Sequence, residues 1–399
     1  MPDFEEDVDE ILTEQETVPT TASSLPKSDN EIEKAYADIS FRVVYQSNNF
    51  FLPQISQLIN GREVINLRPE YQRRLRWSRQ KKSLLIESLL LNIPIPPIYL
   101  FESDLARYEV MDGQQRLNAI HEFIENDFSL NGLEKLGFLN GRRYKQLPPL
   151  VRRGLDRSSV SAIVLLQETR SDTDDPYLVR RYVFERLNTG GEKLNPQELR
   201  NSIYRSDFNN LIVKMARNDN FCTIFGIPKY TETDENEYYE NPDRQNNSLY
   251  SKMADCQIVL RFFTLLDEKY IIGSMRSMLD NCMKRNMAAS TQELQAHRSL
   301  FERTIEASAK IFGNEAFLLP PDEKGIRRIS IALFDAFTVA IARREQRIQT
   351  FIDKKQQVHD AINQSLAQNL ELLTGKANTA ESVRERIKHV GGLLDAIPA

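Results

Sequence analysis

Strand-like patterns run to about Asn201 and then stop, which limits this 399-residue chain to a mixed region followed by a helical one. Before that point, short alternating stretches take turns with helical periodicities. Residues 63–66 form a short strand pattern, and Ser78 is placed to cap a helix over 81–91 that Asn92 and Pro94 end. Residues 95–101, Ile-Pro-Pro-Ile-Tyr-Leu-Phe, read as an extended strand whose prolines sit at its start, where no ladder donor is needed. A strand over 108–111 hands over to a helix over 114–123, with Leu117, Ile120, His121 and Ile124 on one face. Residues 160–166 suit a buried strand. Helix resumes at 177–187, breaks at Asn188-Thr189-Gly190-Gly191, and restarts with Asn195 as cap, Pro196 at the first position and Glu198 closing a capping box. Residues 231–247 are acidic and polar, as expected of a long exposed loop. From Leu249 onward helical patterns dominate, with Leu318-Leu319-Pro320-Pro321 as a break. The expected fold class is α+β over 41–201 followed by an all-α region over 202–399.

Charge divides along the same chain. Residues 1–40 carry twelve acidic and two basic side chains, so the overall net charge of -5 hides a leader of -10 and a mildly basic remainder. Residues 1–35 are too polar to bury a core alone and are expected to be a disordered acidic leader. With 41% hydrophobic and 27% charged residues the composition is that of a globular protein. The longest apolar run, 84–91, is interrupted by Glu87 and Ser88, so no membrane span is expected. The acidic start lacks a signal-peptide pattern, which predicts a cytoplasmic protein. Cys222, Cys256 and Cys282 are far apart without Cys-x-x-Cys spacing and are expected to be buried free thiols.

Three constellations offer phosphate-directed chemistry. In Asp112-Gly113-Gln114-Gln115-Arg116 a strand meets a helix N-terminus, whose partial positive charge attracts anions. Gly113 permits a tight turn and close ligand approach, Gln114 and Gln115 supply amides, and Arg116 a planar fork. Asp112 is suited to a metal ion or a water; it also fits a plain N-cap with Gln115 closing the box. In Pro69-Glu70-Tyr71-Gln72-Arg73-Arg74, followed by Arg76, Trp77, Arg79, Lys81 and Lys82, cations alternate with rings that can stack on bases. Trp77 equally suits core packing, and the later cations a solvated helix start. In Phe184-Glu185-Arg186-Leu187-Asn188-Thr189-Gly190-Gly191, a glycine pair gives either an anion cradle or a helix C-cap. No Walker A, Gly-x-Gly-x-x-Gly or Gly-x-Ser-x-Gly pattern occurs.

The ordered set Pro69-Glu-Tyr-Gln-Arg, Trp77, Ile95-Pro-Pro-Ile, Asp112-Gly-Gln-Gln-Arg-Leu and Phe184-Glu-Arg-Leu-Asn resembles the N-terminal domain of GmrSD-type proteins. The resemblance implies a ParB/sulfiredoxin-like fold, a pocket that binds and often hydrolyses nucleotide, and a role in restricting foreign DNA. Carried over, the pocket contains Asp112, Gly113, Gln114, Gln115 and Arg116, faced by Tyr71, Gln72 and Arg73, with Arg186 and Asn188 as additions. Many members also carry a C-terminal His-centred nuclease. Here the C-terminal half has isolated His297, His359 and His389, so cleavage through that region is not expected.

The expected function is therefore a nucleoside-triphosphate-binding protein, a Mg²⁺-dependent hydrolase acting as sensor or regulatory subunit in phage or plasmid defence. Arg116 and the helix N-terminus would hold phosphates and Arg73 would counter developing charge. Gln114 or Gln115 would orient a water, with Asp112 near the metal. Expected partners are nucleotide, DNA and a separate nuclease or other defence subunit. The rivals are a DNA-binding or DNA-nicking module using 68–82 with Arg142, Arg143, Lys145, Arg152, Arg153 and Arg157, and a scaffold whose helical half binds partners.

Overall fold

The computed structural model describes residues 8, 11–12, 28–37, 43–60, 64–67, 77–166, 178–187, 194–230, 241–321, 325, 327–374 and 379–398. The chain divides into two compact units, one drawn from residues 20–70 and 75–194 and the other from 1–19, 71–74 and 195–399. As the sequence predicts, the first is a mixed α/β unit and the second is helical.

The first unit is built on a five-stranded mixed sheet of order β1-β5-β3-β4-β2. Its elements are α1 (Asp29–Ala37), β1 (Tyr45–Phe51), α2 (Leu52–Asn60), β2 (Ile65–Asn66), α3 (Arg79–Leu90), β3 (Ile98–Asp104), β4 (Arg107–Asp112), α4 (Gln114–Ile124), α5 (Pro149–Asp156), β5 (Ser159–Leu165) and α6 (Leu178–Leu187). The β1–β5 and β3–β4 pairs are antiparallel, whereas β3–β5 and β2–β4 are parallel. Alternation makes the sheet: Ile98 and Leu100 on β3, and Val160, Ala162 and Val164 on β5, are all fully buried. On α4 the buried stripe is Leu117, Ile120 and Phe123, with Ala119 beside it. His121 and Ile124, expected on that face, are half-buried at its margin. His121 instead meets the Ser56 hydroxyl at 3.1 Å, and that hydroxyl donates to Glu125 at 2.5 Å.

Helix α3 starts where expected. Ser78 caps it by accepting from the Lys81 amide, and Asn92 turns the chain away with φ 55°. Glu87, which interrupts an apolar run in the sequence, is only 5% exposed. Its Oε1 accepts from the Lys135 and Leu136 amides at 2.7 Å, and its Oε2 from the Glu134 amide at 3.1 Å. Burial alone would raise its pKa. The amides of Leu136, Glu134 and Lys135, with the Lys135 charge, outweigh burial and hold the carboxyl below its usual range. Because the folded pKa is depressed, this stabilisation is complete above the unfolded value and is lost as pH falls through the folded one. Glu87→Gln keeps one acceptor oxygen but sets an NH₂ against the Glu134 amide. The expected cost at neutral pH is about 1–3 kcal/mol, and the gap between the variants should close in acid. Urea midpoints at pH 7 and pH 3 check both statements.

The principal helices of the second unit are α7 (Pro196–Ile203), α8 (Asp207–Met215), α9 (Ala254–Leu265), α10 (Met275–Arg285), α11 (Thr291–Phe312), α12 (Ile331–Ala342), α13 (Lys355–Gln368) and α14 (Ala380–Asp395). The capping box at α7 forms as expected: Asn195 accepts from the Gln197 and Glu198 amides, and Glu198 accepts from the Asn195 amide at 2.9 Å. Unexpectedly, this helix buries polar side chains, with Gln197, Glu198, Arg200 and Asn201 all interior. Arg200 pairs with buried Asp280 at 2.7 Å. Arg261 of α9 pairs with Asp335 of α12 deeper in the unit. The three cysteines are buried free thiols, and burial pushes the Cys282 thiol up, keeping it protonated.

Two expectations need correction. The leader is not uniformly unstructured: Asp29–Ala37 is helical, and Val8, Ile11 and Leu12 are buried, with the Gln257 amide donating to the Ile11 carbonyl at 2.6 Å. Apolar residues at i, i+3 and i+4 give this segment a face that its average composition conceals. In the stretch expected to be an exposed loop, residues 231–240 lie outside the described residues, but Pro242–Gln245 is helical and Arg244 is buried, donating to the Pro228 carbonyl. Among the described residues no helix is long and apolar enough to cross a membrane.

Candidate functional site at the Gly113 turn

Strand β4 ends at Asp112 and helix α4 begins at Gln114, so Gly113 alone makes the turn. It is the N-cap, in a left-handed conformation with φ 96°, and supplies no side-chain cap to the helix amides. The glycine is required by packing as well as by dihedral. A Cβ here would stand 2.5 Å from Ile98 Cγ2 on neighbouring β3. The capping box anticipated from Asp112 and Gln115 does not form, because the helix starts one residue later than that pattern requires.

Asp112 is free for a different task. Its Oδ2 accepts from Arg116 Nη2 at 2.7 Å across one helical turn. Arg116 also donates through Nη1 to the Pro96 carbonyl and, at 3.2 Å, to that of Pro97. The guanidinium therefore braces the turn against the Ile-Pro-Pro-Ile stretch. Its side chain is 12% exposed and that of Asp112 is 40% exposed, so the carboxylate is the more open member of the pair.

The two glutamines act as tethers. Gln114 Nε2 donates to the Leu67 carbonyl at 3.1 Å, and Gln115 Oε1 accepts from the Trp77 amide at 3.2 Å. Leu67 and Trp77 are the described residues that flank 68–76. The described residues on either side of 68–76 are thus each bonded to the first turn of α4. Tyr71, Gln72 and Arg73 themselves lie outside the described residues, as do Asn188, Gly190 and Gly191. Trp77 packs against the core, with Lys81 Nζ 4.9 Å from its ring, and Lys82 pairs with Glu122 at 2.6 Å. Trp77 thus takes the packing role and Lys81 the solvated one, whereas the Lys82 side chain, expected on a solvated face, is only 14% exposed and is held by Glu122.

Helix α6 packs on β4 through Arg180, which pairs with Glu109 and stacks 5.0 Å above the Phe101 ring. Arg186 lies further along α6, 4.5 Å over the ring of Tyr182 on the same helix. Neither the Arg180–Glu109 pair nor the Leu67 and Trp77 tethers is signalled by any local motif, since each joins residues far apart in sequence.

A polar cleft of about 280 Å³ lies along β2 and the β3–β4 hairpin end of the sheet, lined by Asn66, Leu67, Ser103, Arg107, Tyr108 and Glu109 among others. Leu67 belongs to both features: it lines the cleft while its carbonyl is held by Gln114. Burial, with Glu102 nearby, pushes the Tyr108 phenol up, so it stays a hydrogen-bond donor at neutral pH. Among the described residues no group of three or more His, Cys, Asp or Glu is placed to hold a metal ion. A magnesium ion that arrives on phosphate oxygens needs only one or two protein carboxylates, and Asp112 meets that lesser requirement.

Residues 55–205 match the family model described as GmrSD restriction endonuclease, N-terminal domain. No curated protein and no solved structure matches the chain.

Proposed function

Residues 55–205 belong to the GmrSD N-terminal domain family of restriction proteins, and from that premise we propose that this protein binds a nucleoside triphosphate at the Gly113 turn and hydrolyses it. In this reading it serves as the sensor or regulatory component of a defence system against foreign DNA.

The observation that carries the reading is the double tether. Gln114 and Gln115 hold the residues on either side of 68–76 to the start of α4. A helix N-terminus without a side-chain cap attracts phosphate through its amides and dipole, and the sequence of 68–76 contains the cation Arg73. The cleft that shares Leu67 with the turn offers Asn66, Ser103 and Tyr108 to a base and ribose. Asp112 would hold the magnesium that accompanies the triphosphate, which when bound neutralises phosphate charge. Arg116 keeps Asp112 in place, a positioning role that replaces direct phosphate contact. Gln114 and Gln115 set the geometry of the attacking water through the segment they tether, while Arg73 opposes charge developing on the leaving phosphate. Tyr71 and Gln72, with Arg186 and Asn188, complete the proposed binding set.

A second reading rests on a separate observation. Arg142, Lys145, Arg152, Arg153 and Arg157 are exposed around α5 and form no ion pair among the described residues, with exposed Phe138 and Leu150 beside them. Such a surface suits a DNA backbone.

Calorimetric titration of ATP, GTP, CTP and UTP with Mg²⁺ into wild type and Arg73→Ala separates the readings. The expected result is saturable binding of at least one nucleotide, weakened about tenfold or more by loss of a charge-assisted contact. No uptake of any nucleotide, with salt-sensitive binding of duplex DNA, would leave the second reading standing instead.

A further inference from the structure

Strand β1 closes one edge of the sheet, and no described strand pairs with its outer side. Its sequence, Tyr-Gln-Ser-Asn-Asn-Phe-Phe, has no charge and no proline, and its seven-residue register with β5 is free of bulges. Exposed edges are ordinarily blunted by lysine, proline or a bulge. This one has none of these.

The hydrogen bonds at its two ends give the direction of every backbone group between them. The Leu166 amide donates to the Val44 carbonyl at 2.9 Å, and the Leu52 amide donates to the Ser158 carbonyl at 3.2 Å. Antiparallel ladders alternate, so even-numbered residues of β1 face β5 and the odd-numbered ones turn their N–H and C=O outward. The outward set is Tyr45, Ser47, Asn49 and Phe51. The last is already occupied, since the Phe51 amide donates to the Gln54 side chain at 3.1 Å. Three consecutive outward positions remain, and Ser47 is their centre.

We propose that β1 is a self-pairing edge, at which two copies of this chain join β1 to β1 antiparallel about a twofold axis through Ser47, making one continuous sheet. The register follows from the three outward positions: Tyr45 bonds across to Asn49 of the second copy, Ser47 to Ser47, and Asn49 to Tyr45. The side-chain pairs that this register creates are favourable ones. Val43 comes opposite Phe51 and Val44 opposite Phe50, placing aromatic against β-branched residues at both ends. Gln46 opposes Asn48 in a polar, uncharged middle. No like charges meet anywhere along the seam. Tyr45 and Phe51, 63% and 48% exposed, lie on the sheet face that such pairing extends.

Sedimentation of the full chain tests this. Wild type should sediment at twice the chain mass and Ser47→Lys at the monomer mass, because two ammonium groups would meet at the axis. Since the Ser47 side chain is exposed and its backbone bonds point away from β5, the variant should keep the wild-type circular dichroism and melting curve. A second variant, Ser47→Cys, should form a covalent dimer under mild oxidation, whereas Leu105→Cys, on the 85% exposed turn between β3 and β4, should not. The three native cysteines are buried and do not compete. A monomeric wild type would overturn the proposal, as would a dimer that survives Ser47→Lys or fails to cross-link through Ser47→Cys.

Discussion

Asp335→Ala is expected to destabilise the helical unit by about 3–5 kcal/mol, the range for leaving a buried charge without its partner. Asp335 is 1% exposed, and both its oxygens lie near Arg261 Nε, at 3.1 and 3.0 Å. Arg386, 2% exposed, shares its field: burial lowers the Arg386 pKa, Asp335 opposes that fall and Arg261 adds to it. Asp335 therefore pairs with one buried guanidinium and acts through its charge on a second. For a unit of this size the loss corresponds to roughly 6–20 °C in Tm. Replacing the Arg261–Asp335 pair together by Met and Leu should cost less than Asp335→Ala alone, since the desolvation penalties of the pair vanish with its charges and Arg386 loses the repulsion of Arg261 along with the attraction of Asp335. Thermal melts of the single and double variants decide it. Equal losses in both would mean that the pair acts through shape and not through charge.

Gly113→Ala carries the second-largest expected effect, and it bears on the site. An L residue in the left-handed region costs about 1–2 kcal/mol. The added Cβ, 2.5 Å from Ile98 Cγ2, must push apart two core strands, at about 1–3 kcal/mol more. Because Ile98 is fully buried on β3, neither strand can yield cheaply. Ile98→Ala removes the obstructing atom, so the double variant should lose less than the two single variants combined, with the dihedral cost remaining. Simple additivity would place the strain elsewhere than at the Gly113–Ile98 contact. Nucleotide affinity should fall in Gly113→Ala even at temperatures where the unit remains folded, because the turn aims the amides of α4.

How much of this was legible from residues alone differs by element. Ser78, Asn195 with Glu198, and the apolar stripe through Leu117 and Ile120 announce their helices by local rules, and the structure follows them. Strand β1 is not announced, because Tyr45-Gln-Ser-Asn-Asn-Phe-Phe alternates poorly; β5 organises it by pairing along its whole length. Glu87 reads as a break in an apolar run, yet three amides from residues 134–136 make it an interior anchor. The turn was visible as a motif, but its internal wiring was not. Asp112 looks like a cap and proves to be the ion-pair partner of Arg116, while Gln114 and Gln115 look like ligand donors and prove to hold backbone at Leu67 and Trp77. Such contacts join segments distant in sequence, which local patterning does not encode.

The central claim is that a nucleotide occupies the start of α4, and hydrogen exchange with and without nucleotide measures it most directly. With saturating nucleotide and Mg²⁺, peptides covering residues 112–117 and 64–67 should gain protection in wild type, and that gain should disappear in Arg73→Ala. Nucleotide-dependent protection confined to other segments, or none at 112–117 in a protein that demonstrably binds nucleotide, would contradict the assignment of the site to the Gly113 turn.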